Sequence, residues 1–458
     1  MGVTATRGVL GAFVACVFAS LVWTAPAQAD AGPCSLTGSG REGATDTTFF
    51  QVPDQTLEAA MIFVDFPNHI AAGGETPPHS TIGPALTNRA TSYMNEVSYG
   101  KTQLQVQSGT TWLRMSQNSS AYTTATFAGQ RAYMQEAIQL ADAAGFDFSG
   151  RQTVFVVAAP GAFPNTAAFH GSAGDGISVD GTNVRWGTTV GDDGRIVDAR
   201  WPEYGSKVLS HEIGHIFGLP DLYRFADAAT FTLAHLDAGA WDIMGWPGPG
   251  LHLVGWHKQK LGWLGPADMV CVNGTSTATI SPLDAPGGIK MMVSKTAPGV
   301  AYVAEVRRAN GMDSEMCEPG GVLIYRVNAD GGNGSLNGIP PISVKPVYPD
   351  EPGDPSGDCA ALSNALFELG PGEPSTFSEG AVTIEILSGN PSTGYSVRMT
   401  GPNPNPPTPP VAKPPTTNPR ATALAKCKKK KSPKARKKCR KKAKRLPVAR
   451  ERLVLPSS

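Results

Sequence analysis

The sequence HEIGHIFGLPD, at residues 211 to 221, is the most informative stretch of this chain. On a helix, residues four apart lie on the same face, so His211 and His215 can bind one metal ion, usually zinc. Glu212 follows the first histidine and is placed to act as a general base towards a water molecule at that metal. This spacing therefore predicts a zinc hydrolase, and in particular a peptidase.

The residues after the second histidine predict a third ligand. Gly218 breaks the helix and Pro220 cannot continue it, so the chain turns back and can bring Asp221 to the metal as an oxygen ligand. The alternative interpretation is an amphipathic helix with two structural histidines, since its apolar residues also follow helical spacing. These residues are Val208, Leu209, Ile213, Ile216 and Phe217. The glycine and the aspartate favour the metal site, because they fall at the offsets that a third-ligand turn requires.

A second motif, WDIMG, follows at residues 241 to 245 and places Met244 in a tight, glycine-bounded turn. A single methionine is usually a core residue. Metzincin-type enzymes, however, place such a methionine beneath the metal as an apolar floor. The turn therefore adds support to the metal site.

The charge of the chain is divided between an acidic body and a basic tail. Residues 420 to 452 hold 17 of the 39 Lys and Arg and one of the 38 acids, which leaves 22 basic and 37 acidic residues elsewhere, a balance of −15. Charge blocks of this kind are commonly disordered, either as solvated tails or as arms that bind anionic surfaces. The tail has no interleaved aromatic residues, which argues against nucleic acid and favours an anionic cell envelope.

The first 29 residues have the pattern of a secretory signal peptide, with Arg7, an apolar stretch and Ala27-Gln28-Ala29 as the cleavage site. No later segment reaches the roughly 20 apolar residues of a spanning helix. We therefore expect a secreted, extracellular protein with disulfide-bonded cysteines. Among the cysteines of the body, Cys317 and Cys359 are the preferred pair, because they bracket a Gly/Pro-rich loop. Cys34 is expected in a disulfide, with a thiolate that caps the metal as the alternative.

The remaining patterns predict a succession of domains. Polar residues 30–54 indicate a short pro-segment or a loose N-terminus, and residues 55–268 a catalytic domain. Its strands are predicted at 59–66, 104–112 and 153–159, and its helices at 87–97, 131–143 and 205–218. Residues 269–400 predict a smaller β-rich, sandwich-like domain, with strands at 276–281, 289–295, 300–307, 321–327, 381–387 and 394–399. A Pro-rich linker at 401–419 and a disordered basic tail at 420–458 follow.

The chain resembles the secreted bacterial metallopeptidases related to immune inhibitor A. The similarity is most specific at 205–265, where the zinc motif, Leu222-Tyr223, WDIM at 241–244 and the segments GWHK at 255–258 and LGW at 261–263 occur. It extends more loosely over about 55–400. The resemblance implies an α+β fold, with a zincin- and metzincin-like catalytic domain that contains a mixed sheet and an active-site helix. It also implies His211, His215 and Asp221 as zinc ligands and Glu212 as the catalytic residue.

Several assignments around the site stay open. Asp227 and Asp242 rival Asp221 as third ligand, because related enzymes vary at this position. Tyr223 and His252 are candidates for a second donor to the oxyanion.

Calcium is a second candidate cofactor beside Zn²⁺, because large members of the family bind it. Asp192-Asp193 and the surroundings of Asp330 are the candidate loops, although such loops are more often plain turns.

The sequence as a whole predicts a secreted zinc endopeptidase that acts on protein or peptide substrates. The alternative is a binding or scaffold protein of the cell envelope with an inactive peptidase fold. The intact Glu212 favours the enzyme, because an inactive relative often loses this base.

Overall fold

The computed structural model describes residues 34–53, 55–71, 78–162, 166–192, 203–223, 237–332, 339–348, 364–402 and 419–446. The predicted signal peptide and most of the Pro-rich linker lie outside the described residues, as do Asp193, Asp227 and Cys359. Met1–Pro402 and Asn403–Ser458 form two separate compact units. Within the described residues, no helix combines the length and the apolarity needed to cross a bilayer.

The first part of the chain alternates strands and helices, as predicted. Its elements are β1 (Thr56–Asp65), α1 (Pro78–Val97), β2 (Gln103–Arg114), α2 (Phe127–Ala143), β3 (Thr153–Ala158), β4 (Ala167–His170), β5 (Ile177–Val179), β6 (Thr182–Val184), β7 (Trp186–Val190) and α3 (Tyr204–Ile216). Five of these strands form a mixed sheet in the order β2-β1-β3-β7-β4. Strands β2, β1, β3 and β7 are parallel, and β4 is the antiparallel edge.

Helices cover both faces of this sheet. Odd-numbered residues of β1 from 57 to 63 pack with α1 and α3, whereas even-numbered residues from 60 to 64 pack with α2. Strands buried on both faces have continuous apolar sequences, which explains why β1 and β3 could be recognised without alternation. Helix α3, which carries the zinc motif, lies on the same face as α1 and shares its core cluster.

The second part of the chain is rich in β-strands. Its elements are α4 (Gly255–Lys260), β8 (Met269–Val272), β9 (Thr275–Ile280), β10 (Met291–Ala297), β11 (Val300–Arg308), β12 (Gly320–Asn328), β13 (Ile342–Val344), β14 (Leu366–Phe367), β15 (Thr376–Glu379), β16 (Val382–Asn390) and β17 (Gly394–Thr400). A six-stranded sheet has the order β13-β12-β11-β10-β8, with β14 paired to β12. A four-stranded sheet has the order β15-β16-β17-β9.

The two sheets pack face to face through a shared apolar cluster that includes Met292 and Ile324 from one sheet and Ile384 and Val397 from the other. The opposite face of the six-stranded sheet joins the core of the first part, since Val303 and Tyr325 belong to the same cluster as α1 and α3. The mixed α+β class is therefore confirmed. The regions on either side of the predicted boundary at 268 share one core.

The N-terminal segment, defined here as residues 34–53, is packed rather than loose. Its backbone is hydrogen-bonded at Thr37 to Pro298, at Gly40 to Ala329 and at Gln51 to Ile216, over 2.7 to 3.0 Å. The sequence did not indicate this, because each partner lies far along the chain and leaves no local pattern.

Two disulfides join described cysteines, Cys34 to Cys271 and Cys427 to Cys439. The disulfide expected for Cys34 is thus confirmed, and the alternative of a thiolate cap on the metal is wrong because its sulfur is bonded to Cys271. Cys317 is also disulfide-bonded. Its predicted pairing with Cys359 stays a prediction, because Cys359 lies outside the described residues.

The prediction of a disordered basic tail is wrong over residues 420–446, the part of the tail that the structure describes. This segment forms a helical hairpin of α5 (Pro419–Lys428) and α6 (Pro433–Ala443). Lysine, arginine and alanine are good helix formers, and the Ser432 side chain caps α6 by accepting a hydrogen bond from Ala435 N. The disulfide between Cys427 and Cys439 joins the two helices, which offsets the repulsion between their charges.

Candidate metal centre

Helix α3 presents His211 and His215 on one face, and the turn that follows it brings in Asp221. The helix ends at Ile216, and Gly218 adopts a φ of +91° that favours glycine. Gly218 N donates to His215 O at 2.9 Å and Leu219 N donates to Gly214 O at 3.0 Å, which satisfies carbonyls at the end of the helix. The turn predicted from Gly218 and Pro220 is therefore present.

The structure brings three potential ligand atoms together. His215 Nε2 lies 3.1 Å from His211 Nε2 and 3.0 Å from Asp221 Oδ1, and His211 Nε2 lies 3.3 Å from the same oxygen. All three residues are mostly buried. A search of the described residues for three or more His, Cys, Asp or Glu side chains close enough to hold a metal ion finds these three.

This donor set fits zinc. Ligands about 2.0 to 2.1 Å from a tetrahedral zinc ion lie roughly 3.3 Å from one another. The observed separations of 3.0 to 3.3 Å are close to that value. Two imidazole nitrogens and one carboxylate oxygen are also ligands that zinc commonly takes.

Backbone carbonyls orient both imidazoles. His211 Nδ1 lies 2.8 Å from Ile243 O, and His215 Nδ1 lies 2.8 Å from Leu219 O. A carbonyl can only accept, so each Nδ1 carries a proton and each Nε2 faces the other two potential ligand atoms. Metal-binding histidines characteristically have such a second hydrogen bond, which fixes their tautomer and orientation.

The histidines and Asp221 stabilise each other's charges, because they lie close together. Burial opposes ionisation of His215, but the adjacent Asp221 carboxylate raises the pKa of that histidine to about 9. Burial likewise opposes ionisation of Asp221, but His215 and His211 hold its pKa well below the usual range. Asp221 is therefore anionic at neutral pH, as a carboxylate that binds a metal ion must be.

Met244 packs against helix α3 at Gly214, and its predicted place beneath a metal ion stays a prediction. Its side chain is fully buried, and its sulfur occupies the space that a Cβ at Gly214 would need. The turn that carries it is bonded to the centre on both sides: Ile243 O faces His211, and Met244 O accepts from Leu222 N at 3.0 Å, next to Asp221. Gly214 thus allows close approach of the methionine to the helix.

Glu212 and Tyr223 are two further polar groups that interact with the potential ligands. Glu212 is 7% exposed on α3, directly after the first histidine. The Tyr223 ring lies 6.1 Å from the His211 ring and nearly parallel to it, and its side chain is hydrogen-bonded to Asp221. Burial, followed by the charges of Asp221 and Glu212, raises the pKa of Tyr223, so its hydroxyl remains a donor.

Other sequence candidates do not join this group. Asp242 accepts hydrogen bonds from Met244 N and Val254 N and pairs with His257, so it supports the turn instead of rivalling Asp221. Both ring nitrogens of His252 are engaged, with Glu96 at 3.1 Å and Lys258 at 2.8 Å, which removes it as an oxyanion donor.

The predicted calcium loops have protein partners where they are described. Asp192 accepts from Gly161 N, and Asp330 accepts from Ser39 N. Calcium at either loop stays a prediction.

Three residues beside the centre were not anticipated as neighbours of the site. The Arg41 guanidinium lies 5.5 Å from the Phe50 ring, which in turn lies 5.0 Å from the His170 ring. Burial, followed by the charges of Arg41 and His215, lowers the pKa of His170 to about 4. Arg41 and Phe50 belong to the N-terminal segment and meet His170 of β4 only in the folded chain, so no local motif could indicate this cluster.

A scan against models of known protein families finds no match to this chain. A search of curated proteins likewise finds none that is significantly similar.

Proposed function

We propose that this protein is a secreted zinc endopeptidase, with His211, His215 and Asp221 as ligands and Glu212 as the general base. The observation that carries the proposal is the convergence of two Nε2 atoms and one carboxylate oxygen at separations of 3.0 to 3.3 Å, with each imidazole oriented by a carbonyl. Similarity to immune inhibitor A-like peptidases, with a metzincin-like catalytic domain, is part of the same proposal.

The residues of the chain have distinct roles in this reaction. Zinc, when bound, would supply Lewis-acid activation of water and stabilisation of developing negative charge. Glu212 would accept the proton of the attacking water and return it to the leaving nitrogen. Tyr223 orients Asp221 through their hydrogen bond, and Met244 supports the helix from below.

A comparison of wild type with Glu212→Gln tests the proposal. Both preparations are assayed for casein hydrolysis and for bound zinc. We expect one zinc per chain in each and a loss of at least about a hundredfold in kcat for the variant, since general base catalysis contributes roughly 10²- to 10⁴-fold. Zinc-loaded wild type that cleaves neither casein nor unfolded proteins would favour the alternative of an inactive scaffold.

The basic hairpin supports a proposal about location. Residues 419–446 carry 15 Lys or Arg and no acid, and every lysine from 426 to 444 is exposed. Cys427 and Ala443 are buried, and Leu446 at the end of the segment is the large apolar residue that is exposed among the described residues of the hairpin. We infer that the hairpin binds anionic groups of the cell envelope by charge alone, which holds the secreted enzyme at that surface.

A further inference from the structure

A buried row of polar side chains connects the N-terminal segment to the turn under the metal centre. Glu42 Oε1 lies 3.0 Å from His257 Nε2, and Glu42 Oε2 accepts from Trp256 Nε1 at 3.1 Å. On the other side of the imidazole, His257 Nδ1 lies 2.8 Å from Asp242 Oδ2. The side chains of Glu42, His257 and Asp242 are all fully buried.

Asp242 transmits this arrangement to the turn. Its Oδ1 accepts from Met244 N at 2.8 Å, and its Oδ2 accepts from Val254 N at 2.9 Å. The turn then contacts the centre through Ile243 O, which faces His211 Nδ1 at 2.8 Å. Glu42 is thus connected to His211 through a continuous series of hydrogen bonds and one buried ion pair, between His257 and Asp242.

The Glu42 carboxylate is needed to stabilise the positive charge on the buried His257. An imidazole with a carboxylate at each nitrogen is held as the imidazolium, which donates from both sides. Burial opposes this charge, but Asp242 and Glu42 raise the pKa of His257 to about 10. Without the second carboxylate, a buried imidazolium would face one partner only, and its hold on Asp242 would weaken.

The N-terminal segment is anchored so that Glu42 stays in place. Cys34 is bonded to Cys271, and Lys260 Nζ donates to Gly43 O at 2.7 Å. Further along, Gln51 N donates to Ile216 O at 3.0 Å, at the last residue of the ligand helix. A segment that is removed on activation would take these contacts with it.

We propose that Glu42 is a positioning residue of the metal centre, which acts through His257 and Asp242 to hold the turn at 241–245 against the zinc ligands. The N-terminal segment is accordingly a permanent part of the mature enzyme and not a removable pro-segment. The structural half of this inference stands on these hydrogen bonds and the ion pair between His257 and Asp242, whereas its effect on zinc and on turnover rests on the proposed function.

Hydrogen exchange of the Met244 amide tests the structural half. Glu42→Gln keeps the shape of the side chain and removes its charge. Asp46→Asn is the matched control, because Asp46 lies in the same segment but is exposed and bonded only locally, to Thr48. We expect roughly tenfold faster exchange at Met244 in Glu42→Gln, because this amide is protected by a local opening equilibrium that the charge network sets. A rate within twofold of the control would overturn the inference.

Zinc affinity and kinetics test the functional half. We expect Glu42→Gln to lose about 10- to 100-fold in zinc affinity by chelator competition, as is typical for partners of metal ligands. For the zinc-saturated variant we expect kcat to fall with KM little changed. Faster exchange with unaltered zinc affinity and kcat would overturn this half and leave the structural link intact.

Failure of wild type to bind zinc and failure of Glu42→Gln to fold can each be distinguished from failure of the inference. If wild type binds no zinc, the proposed function fails, while the exchange comparison still decides whether Glu42 holds the turn. If Glu42→Gln does not fold, Trp256→Phe takes its place, since it removes the Nε1 donor to Glu42 and keeps an aromatic ring in the core. A smaller acceleration of exchange at Met244 is then expected, and none would overturn the inference.

Discussion

Replacement of Arg307 with alanine is expected to lower the free energy of unfolding by about 3–5 kcal/mol, as is usual when one partner of a buried ion pair is removed. Arg307 is fully buried on β11 and donates to both oxygens of Asp313, each at 2.7 Å, and to Trp241 O at 2.8 Å. The variant would leave the Asp313 carboxylate in the interior without its cation.

Arg398→Ala is the matched control for this variant. Arg398 also lies in the β-rich region and pairs with Glu385 at 3.2 Å, but both side chains are exposed. Exposed pairs contribute about 0–1 kcal/mol, so we expect little effect on stability. Equilibrium unfolding in urea, followed by tryptophan fluorescence, measures both variants. Equal losses of unfolding free energy in the two variants would refute the view that Arg307 stabilises the fold by joining β11 to Asp313 and to the turn before Met244.

Four further outcomes are expected. Asp221→Ala should lose zinc at micromolar concentrations as measured by elemental analysis, whereas Asp192→Ala, at a candidate calcium loop, should retain it. Removal of zinc with a chelator should lower the melting temperature, and zinc at a hundred times its Kd should restore about 2.7 kcal/mol. Gly218→Ala should cost about 1–2 kcal/mol in thermal unfolding, because its φ is +91° and an added Cβ would lie 3.0 Å from Phe50. The full chain should sediment with anionic but not with neutral vesicles, and release by about 1 M salt is expected because screening then acts within roughly 3 Å. Binding that persists in high salt, or a preference for duplex DNA over vesicles, would contradict the proposed attachment by charge to the envelope.

Local sequence patterns predicted several strands and helices of the fold. The apolar run that forms β1 indicated a strand covered on both faces, and the residues of β11 and β12 were recognised from turn spacing. Helix α1 begins at Pro78, earlier than the predicted Thr87, because its first turns lack the apolar periodicity on which the prediction depended.

Part of the candidate site could likewise be predicted from the sequence, and part could not. The ligand group could be predicted because its three members lie within 11 residues, on one helix and its terminal turn. The support around it could not, because Glu42 and His257 are 215 residues apart and meet only in the folded chain. Polar composition made the N-terminal segment look loose, although its Glu42 carboxylate makes buried hydrogen bonds to Trp256 and His257.

The most direct test of the metal centre is anomalous diffraction from crystals of the full chain, measured on both sides of the zinc absorption edge. We expect one strong zinc peak about 2.0 to 2.1 Å from the Nε2 atoms of His211 and His215 and from an Asp221 carboxylate oxygen. A zinc-supplemented crystal with no peak between these three residues, or with a peak ligated by other side chains, would contradict the assignment of a zinc peptidase.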